Sequence, residues 1–489
     1  MQSQSSIAGP LKIAVLTAVF ACSGLRQAVQ QSCFSNLANG DFWWHLRVGL
    51  GILQTHTIPR TGLYSQSAAQ PWMASSWFYD VTVAASYDLL DLRFIPLLAV
   101  FFKLVLALFV FILAGGLRSR FWTAILLTIV AAYVLGSLQP LPIYCSVLAL
   151  AIELILLMNA QRTSSLQSLY CLPLLFLLWA NTDVQFVYGV IVLLMFLTAE
   201  ALAQSGGNRF GQSHNLPLKQ LGGIAAASVI ATVVAPYGCN SYVQFFSEAT
   251  SAANVYFPDH QALRFRTPQD YVLMLLAMAA FLALGRRRSR DLFQIGLLIL
   301  CTLLAFRAQG DVWLLVLAAV AVLANTVPEV SSEHLPNFGG WQCATAGLTA
   351  GVILSLVTVL HLPGDRKTIL AKIGEGFPVG AADYIRENGL PRPLFNSLPW
   401  GGFLTWYLPN YPVAIDGRTD LYGADFIAQY AKVMHAEQHY STFAPLNQAA
   451  TIVLERKSLI GKALPAVAGF RVAYVDDVAI VLLREVQQP

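Results

Sequence analysis

The chain has 489 residues, 56% of them hydrophobic and 11% charged, with a mean hydropathy of +0.59 and a formal net charge of +4. Soluble domains carry roughly a quarter charged residues, so this composition excludes a water-soluble globular protein and indicates a polytopic membrane protein, each span needing about 20 mostly apolar residues. The positive balance is spread over loops without a basic tract, so nucleic acid is not an expected partner.

The polar stretch 1–10 lacks Lys and Arg, unlike the positive start of a cleaved signal peptide, so the first hydrophobic run reads as a retained anchor. Eleven apolar runs follow one another at 11–30, 94–114, 121–138, 141–158, 168–181, 184–204, 220–236, 271–285, 291–306, 311–326 and 344–361. The basic cluster Arg286, Arg287, Arg288 and Arg290 orients them by the positive-inside rule. With alternating runs, Arg118, Arg120, Arg162, Arg209 and Lys219 fall on the same cytoplasmic side. The N-terminus is then inside and the C-terminus outside. Residues 77–92 are moderately apolar but carry Asp80, Asp88 and Asp91, and spanning would invert every later loop. An amphipathic interfacial helix is the expectation there.

This topology puts the loop 31–93, the turn at 139–140, residues 181–185, the loop 237–270, residues 307–311 and everything after 362 on the outer face. The expected organisation is a transmembrane domain over 1–361 with a long first outer loop, then a small extracytoplasmic α/β domain over 362–489. In that domain residues 378–387 and 424–435 read as helices, and 393–395, 412–415, 450–454, 471–475 and 478–483 as strands. Alternating helix and strand predicts a parallel core, and Asp476-Asp477 predicts an antiparallel hairpin at its edge. Asp416 to Asp420 would then lie beyond the carboxyl end of a strand, where ligands of such sheets sit. Seven cysteines show no metal-ligand spacing. Most read as buried small hydrophobes, while Cys33 and Cys239 both fall on the outer face, where a disulfide can form.

The charge-poor composition draws attention to Asp41, set beside Phe42, Trp43, Trp44 and His45 just past the first apolar run. A carboxylate partly desolvated by aromatics suits general-base work. A helix N-cap is the plainer role. Trp43, Trp44, Trp72 and Trp77 either stack on sugar rings or belong to the interfacial aromatic belt. His45 either moves a proton or hydrogen-bonds a neighbouring acid. Arg307, Arg264 and Arg266 are the candidate phosphate ligands, because guanidinium neutralises phosphate bidentately and charge at membrane depth is costly. Headgroup contact is the plainer role of Arg264 and Arg266. Asn181 and Asp183 either enter a site or solvate a turn, and Asp416 and Arg418 either bind acceptor or pair with each other.

Several stretches resemble a large set of bacterial integral membrane proteins grouped with GT-C glycosyltransferases. They are Gly40-Asp41-x-Trp43-Trp44-His45-Leu46-x-x-Gly49, Ile58-Pro59-Arg60-Thr61, Pro71-Trp72 to Trp77, Trp179-Ala180-Asn181 and Pro236-Tyr237-Gly238. Asn396-x-x-x-Trp400-Gly401-Gly402 and Ile415-Asp416-Gly417-Arg418-x-Asp420-x-Tyr422-Gly423 extend the likeness into the C-terminal domain. The resemblance implies a GT-C-like bundle of about 11 helices with an outer-face site in the bacterial inner membrane. It also implies a sugar donor on a polyprenyl phosphate, a lipid, glycan or protein acceptor, and a central first-loop acid. Two departures stand out. Phe42 replaces the second acid common in such loops, which argues against a divalent metal (Mg or Mn) there, and Asp183 stands where the pattern often has His. A flippase or transporter for lipid-linked saccharides, or a scaffold for envelope polysaccharide assembly, are the alternative functions.

Overall fold

A computed structural model describes residues 2–29, 40–117, 120–206, 212–326, 338–362 and 365–485. Arg118, Arg209 and Cys33, invoked above, lie outside them. The chain divides into two compact units, one of Met1–Val29, Leu97–Phe245 and Phe257–His361, the other of Gln30–Pro96, Phe246–Tyr256 and Leu362–Pro489. The boundary expected at 361 is therefore incomplete. The loop after the first apolar run shares a unit with the C-terminal segment, held by close glycine contacts.

The first unit is a helical bundle. Among the described residues, seven helices are long and apolar enough to cross a membrane: Gly9–Arg26, Trp77–Leu113 (whose part before Leu97 belongs to the second unit), Ile143–Thr163, Phe186–Gly206, Pro268–Arg287, Gln309–Thr326 and Gly340–His361. Shorter apolar helices cover Phe121–Ser137, Gln167–Ala180, Leu218–Val233 and Leu292–Arg307. Together they match the eleven runs read from hydrophobicity. The helix Val312–Thr326 is apolar all round and lies at the centre, with Trp313 to Val322 each at most 1% exposed, as a fully enclosed helix should be. It packs against Leu292–Arg307, Pro268–Arg287, Phe121–Val134 and Ile143–Thr163. The peripheral helix Gly340–His361 instead exposes Trp341, Leu348, Val352 and Leu356, the surface a bilayer would cover. Local capping sets the ends. Thr267 and Asp270 form a capping box at the start of Pro268–Arg287, and the Asp291 side chain caps Leu292–Arg307.

The second unit is built on two crossing helices, Asp41–Thr55 and Trp77–Leu90, and a four-stranded sheet. The helices touch at Gly49, where a β-carbon would stand 2.0 Å from the Asp80 carbonyl oxygen. Residues 77–90 thus form half of a packed helix pair. Asp80, which argued against spanning, is fully buried and bonded to His45.

The strands are β1 (Leu394–Asn396), β2 (Thr451–Glu455), β3 (Phe470–Val475) and β4 (Ala479–Arg484), in spatial order β1-β2-β4-β3. Only β1 and β2 are parallel; β2–β4 and β3–β4 are antiparallel. The expected hairpin forms, with Asp476 Oδ1 accepting from the Val478 and Ala479 N–H groups in its turn. The expected parallel core does not, because β4 inserts between β2 and β3. Residues 412–415 are no strand either. They run extended, with one isolated parallel bridge between Ser65 and Val413. The buried Asn396 side chain replaces the missing ladder, its Oδ1 accepting from Ala414 N (2.9 Å) and its Nδ2 donating to Ile415 O (2.7 Å).

Candidate active site

Asp41 is the first residue of its helix, after Gly40 at the N-cap, and no side chain caps that end. Its carboxylate instead accepts the Trp44 indole N–H at 3.2 Å, one helical turn along. The cap role weighed for Asp41 is therefore not the one it has. Three glycine-bearing segments close around it. A β-carbon at Gly417 would stand 1.5 Å from Asp41 Oδ1, one at Gly402 2.0 Å from the Gly40 carbonyl oxygen, and one at Gly40 2.2 Å from that of Pro399. At Gly401 it would meet Ile415 O at 2.0 Å. The backbones of residues 40–41, 399–402 and 415–417 approach so closely that only glycine fits at these positions. Motifs more than 350 residues apart in sequence thus meet at one carboxylate.

Its three aromatic and imidazole neighbours Trp43, Trp44 and His45 divide sharply. Trp43 is fully buried, stacked on Trp406 at 4.6 Å between ring centroids and edge-on to Phe403 at 5.4 Å. It cannot stack on a sugar; the helix turns it into the core, away from the Asp41 face. His45 is 5% exposed, stacked on Trp44 with centroids 3.6 Å apart, and its Nδ1 lies 2.6 Å from Asp80 Oδ1. His45 is thus a buried prop behind Trp44, and the catalytic role expected for it becomes a positioning one. Trp44 is half-buried and meets Trp72 edge-on at 5.8 Å. Among the four first-loop candidates, Asp41 and Trp44 reach the surface.

Asp416 and Arg418 form a buried ion pair. Arg418 Nε and Nη2 donate to the two carboxylate oxygens at 3.0 and 2.6 Å, and Nη1 donates to Leu63 O at 2.9 Å. The guanidinium also lies 5.0 Å from the Trp72 ring centroid, a cation–π contact. Burial opposes the Arg418 charge, but Asp416 outweighs it and holds the guanidinium above its ordinary range. With these donors committed, the acceptor-binding role expected for the pair gives way to a structural one: it fixes the 416–418 turn beneath Asp41. Beside it, Asp420 accepts the Trp72 indole N–H at 3.3 Å. Solvent reaches this side chain, yet protein crowds it, and desolvation pushes its carboxyl up to about 6 against the pull of Trp72 and Arg418.

In the bundle unit, Asp183 is buried. Its Oδ2 accepts the Ser146 hydroxyl at 2.7 Å, and that hydroxyl accepts the Trp179 indole N–H at 2.7 Å. Tyr188 donates to Asp311 Oδ2 at 2.8 Å and lies within electrostatic reach of Arg307 and Asp183. The structure thus brings Asp183 and Arg307 to one end of the bundle and adds Tyr188 and Asp311, which sequence reading passed over. Asp311, an acid at the mouth of an apolar run four residues from Arg307, was the available signal. Leu263 N bonds Phe306 O at 3.2 Å, setting the chain at Arg264 beside that at Arg307. Arg264 is exposed and donates to Gln261, and the Arg266 backbone N–H donates to Asp270 at 2.9 Å. Asn181 Nδ2 donates to Leu177 O at 2.7 Å within its own helix.

No group of three or more His, Cys, Asp or Glu among the described residues is arranged to hold a metal ion. Near Asp41, Asp416 is paired with a guanidinium and Asp80 with His45.

No family model matches the chain, and neither does any curated protein. Solved structures do. The crystal structure of the Archaeoglobus fulgidus oligosaccharyltransferase, tethered to an acceptor peptide containing the NVT sequon, superposes with a TM-score of 0.53 at 12% identity, over 91% of this chain and 69% of that one. ArnT from Cupriavidus metallidurans matches with TM-scores of 0.44 bound to undecaprenyl phosphate and 0.43 in the apo state. Both are 12% identical, covering 96% and 99% of this chain and 97% and 98% of theirs. The fold therefore defines a polytopic helical membrane protein. It shares its fold with the oligosaccharyltransferase.

Proposed function

We propose that the protein is a GT-C-type glycosyltransferase. It moves a sugar from a polyprenyl-phosphate donor to a lipid, glycan or protein acceptor at the outer face of a bacterial inner membrane. In this reading Asp41 takes the proton of the acceptor hydroxyl as the oxygen attacks the anomeric carbon. The bond from that carbon to the phosphate oxygen breaks, and its electron pair leaves on the polyprenyl phosphate. The charge that develops there calls for a guanidinium, the role expected of Arg307, with Arg264 or Arg266.

The observation that supports this most is the convergence of three glycine-bearing motifs on Asp41, which reserves close backbone packing for one solvent-reaching carboxylate. The fold shared with an oligosaccharyltransferase sets the class of chemistry to try. The test is transfer from labelled polyprenyl-phosphate sugars in membranes carrying the full chain. Asp41→Asn is expected to lower the rate by about 10²- to 10⁴-fold, the range of general-base catalysis. Full activity in that variant would remove the base role.

A further inference from the structure

A second polar chamber lies at the other end of the bundle unit. Asp311 precedes the central helix Val312–Thr326 and Asn325 and Thr326 end it, so the two ends are about 20 Å apart at 1.5 Å per residue. Around Asn325 opens a cavity of about 580 Å³, lined among others by Arg120, Arg162, Arg287, His214, Asp291 and Gln294. That volume is typical of small-molecule sites. Its residues come from six separate stretches of chain, so no single loop accounts for it.

The floor is built and buried. Asp291 accepts the Gln294 backbone N–H at 3.1 Å and its side-chain amide at 2.7 Å, with Gln161 Nε2 at 3.5 Å and His214 Nε2 at 4.0 Å. The amide nitrogen of Gln294 is thereby committed, and Gln294 Oε1 is left buried without a hydrogen-bond partner. Gln294 is 8% exposed and lines the cavity. An orphaned acceptor in a roomy polar chamber suits a ligand donor. On the rim, Arg162 donates to the Asn325 side chain and Arg287 Nη1 to the Asn325 carbonyl at 3.1 Å. A guanidinium has five donors, so most of theirs remain for an anion. The lining holds three guanidiniums and the one carboxylate of Asp291.

We infer that this chamber binds a phosphate ester carrying hydroxyl groups, the arginines taking the phosphate and Gln294 Oε1 accepting a hydroxyl. The ester has two sources, the headgroup of an anionic phosphoglycerol lipid and a free polyol phosphate. The inference is independent of the transferase reading.

The test uses the full chain purified in detergent. Equilibrium dialysis measures labelled glycerol 3-phosphate and inorganic phosphate, and native mass spectrometry measures retention of phosphatidylglycerol over phosphatidylcholine from mixed micelles. At least one phosphoglycerol probe is expected to bind, and Arg162→Gln with Arg287→Gln to weaken it at least about tenfold. Gln294→Ala should weaken glycerol 3-phosphate or phosphatidylglycerol while leaving inorganic phosphate unchanged. Retention of the lipid without binding of the free ester assigns the headgroup; binding of the free ester assigns the soluble source. Both arginines are exposed, so the variants should fold, and unchanged melting confirms it. If no phosphoglycerol probe binds above background, or the double variant binds as the parent does, the inference is overturned. Equal loss of inorganic phosphate in Gln294→Ala would overturn the hydroxyl contact.

Discussion

Asp41 and Gly417 sit so close that a β-carbon on the glycine would overlap the carboxylate, at 1.5 Å from Oδ1. Two residues 376 positions apart in sequence thus constrain each other's identity. The turn at 415–418 is the wall against which the carboxylate rests, and the Asp416–Arg418 pair braces that wall.

Gly417→Ala should therefore displace Asp41 from Trp44. On the transferase proposal, sugar transfer is expected to drop at least about tenfold, with a stability loss of about 1–3 kcal/mol typical of overpacking. Gly402→Ala should be worse for folding, because it meets the Gly40 backbone carbonyl, which cannot rotate away as a side chain does. Activity in membranes and melting in detergent separate the two. Equal melting for both variants would contradict this account.

Arg418→Met strands the Asp416 carboxylate in the interior. Breaking one half of a buried pair costs about 3–5 kcal/mol, so a large fall in melting temperature is expected. Asp416→Asn added to Arg418→Met should recover much of it, since the pair contributes less than its broken half costs. A double variant no more stable than Arg418→Met would show that the Leu63 and Trp72 contacts of the guanidinium dominate instead.

Asp420 sets a pH dependence whose sign follows from its raised value. Desolvation by the surrounding protein pushes its folded carboxyl up to about 6, above the ordinary 3.8, so the folded state holds this proton more tightly than the unfolded state does. The ionised form costs stability above about pH 6, and that cost vanishes below the unfolded value. Solvent reaches the group and screens it, so the effect is modest. The melting temperature of the parent should rise relative to Asp420→Asn as the pH falls from 7.5 to 4.5. A constant difference across that range would refute the assignment.

Glu153 is fully buried in the bundle, with neither carboxyl oxygen hydrogen-bonded. A β-carbon at Gly189 would stand 2.8 Å from its Oε2. Burying a polar group without partners costs roughly 1–3 kcal/mol, so Glu153→Met, of similar volume, should raise the melting temperature. A lower melting temperature would mean that the acid is bonded in the working protein.

Much of this was legible in one dimension. Hydrophobic runs mark helices because each span must bury or face lipid along its own length, and the eleven runs correspond to the eleven apolar helices among the described residues. Helices at 379–388 and 424–434 and all four strands followed from local pattern. The segment 412–415 misled because its β-branched and apolar residues fit a strand, while its backbone is bonded by the Asn396 side chain instead of a ladder. Trp43 and Trp44 read alike in sequence, since belt and core both favour Trp; only the helix phase against Trp406 and Phe403 separates them.

By itself, the sequence determined the membrane class, the count of apolar helices and the choice of Asp41 as the residue to watch, because these depend on composition and near neighbours. Tertiary structure alone decided that the first loop shares a unit with the C-terminal segment, that His45 answers to Asp80, and that Gly417 abuts Asp41. It alone also gathered Arg120, Arg162 and Arg287 around one cavity. Such contacts depend on backbone approach and side-chain direction between distant segments, and hydrophobic periodicity carries no record of either.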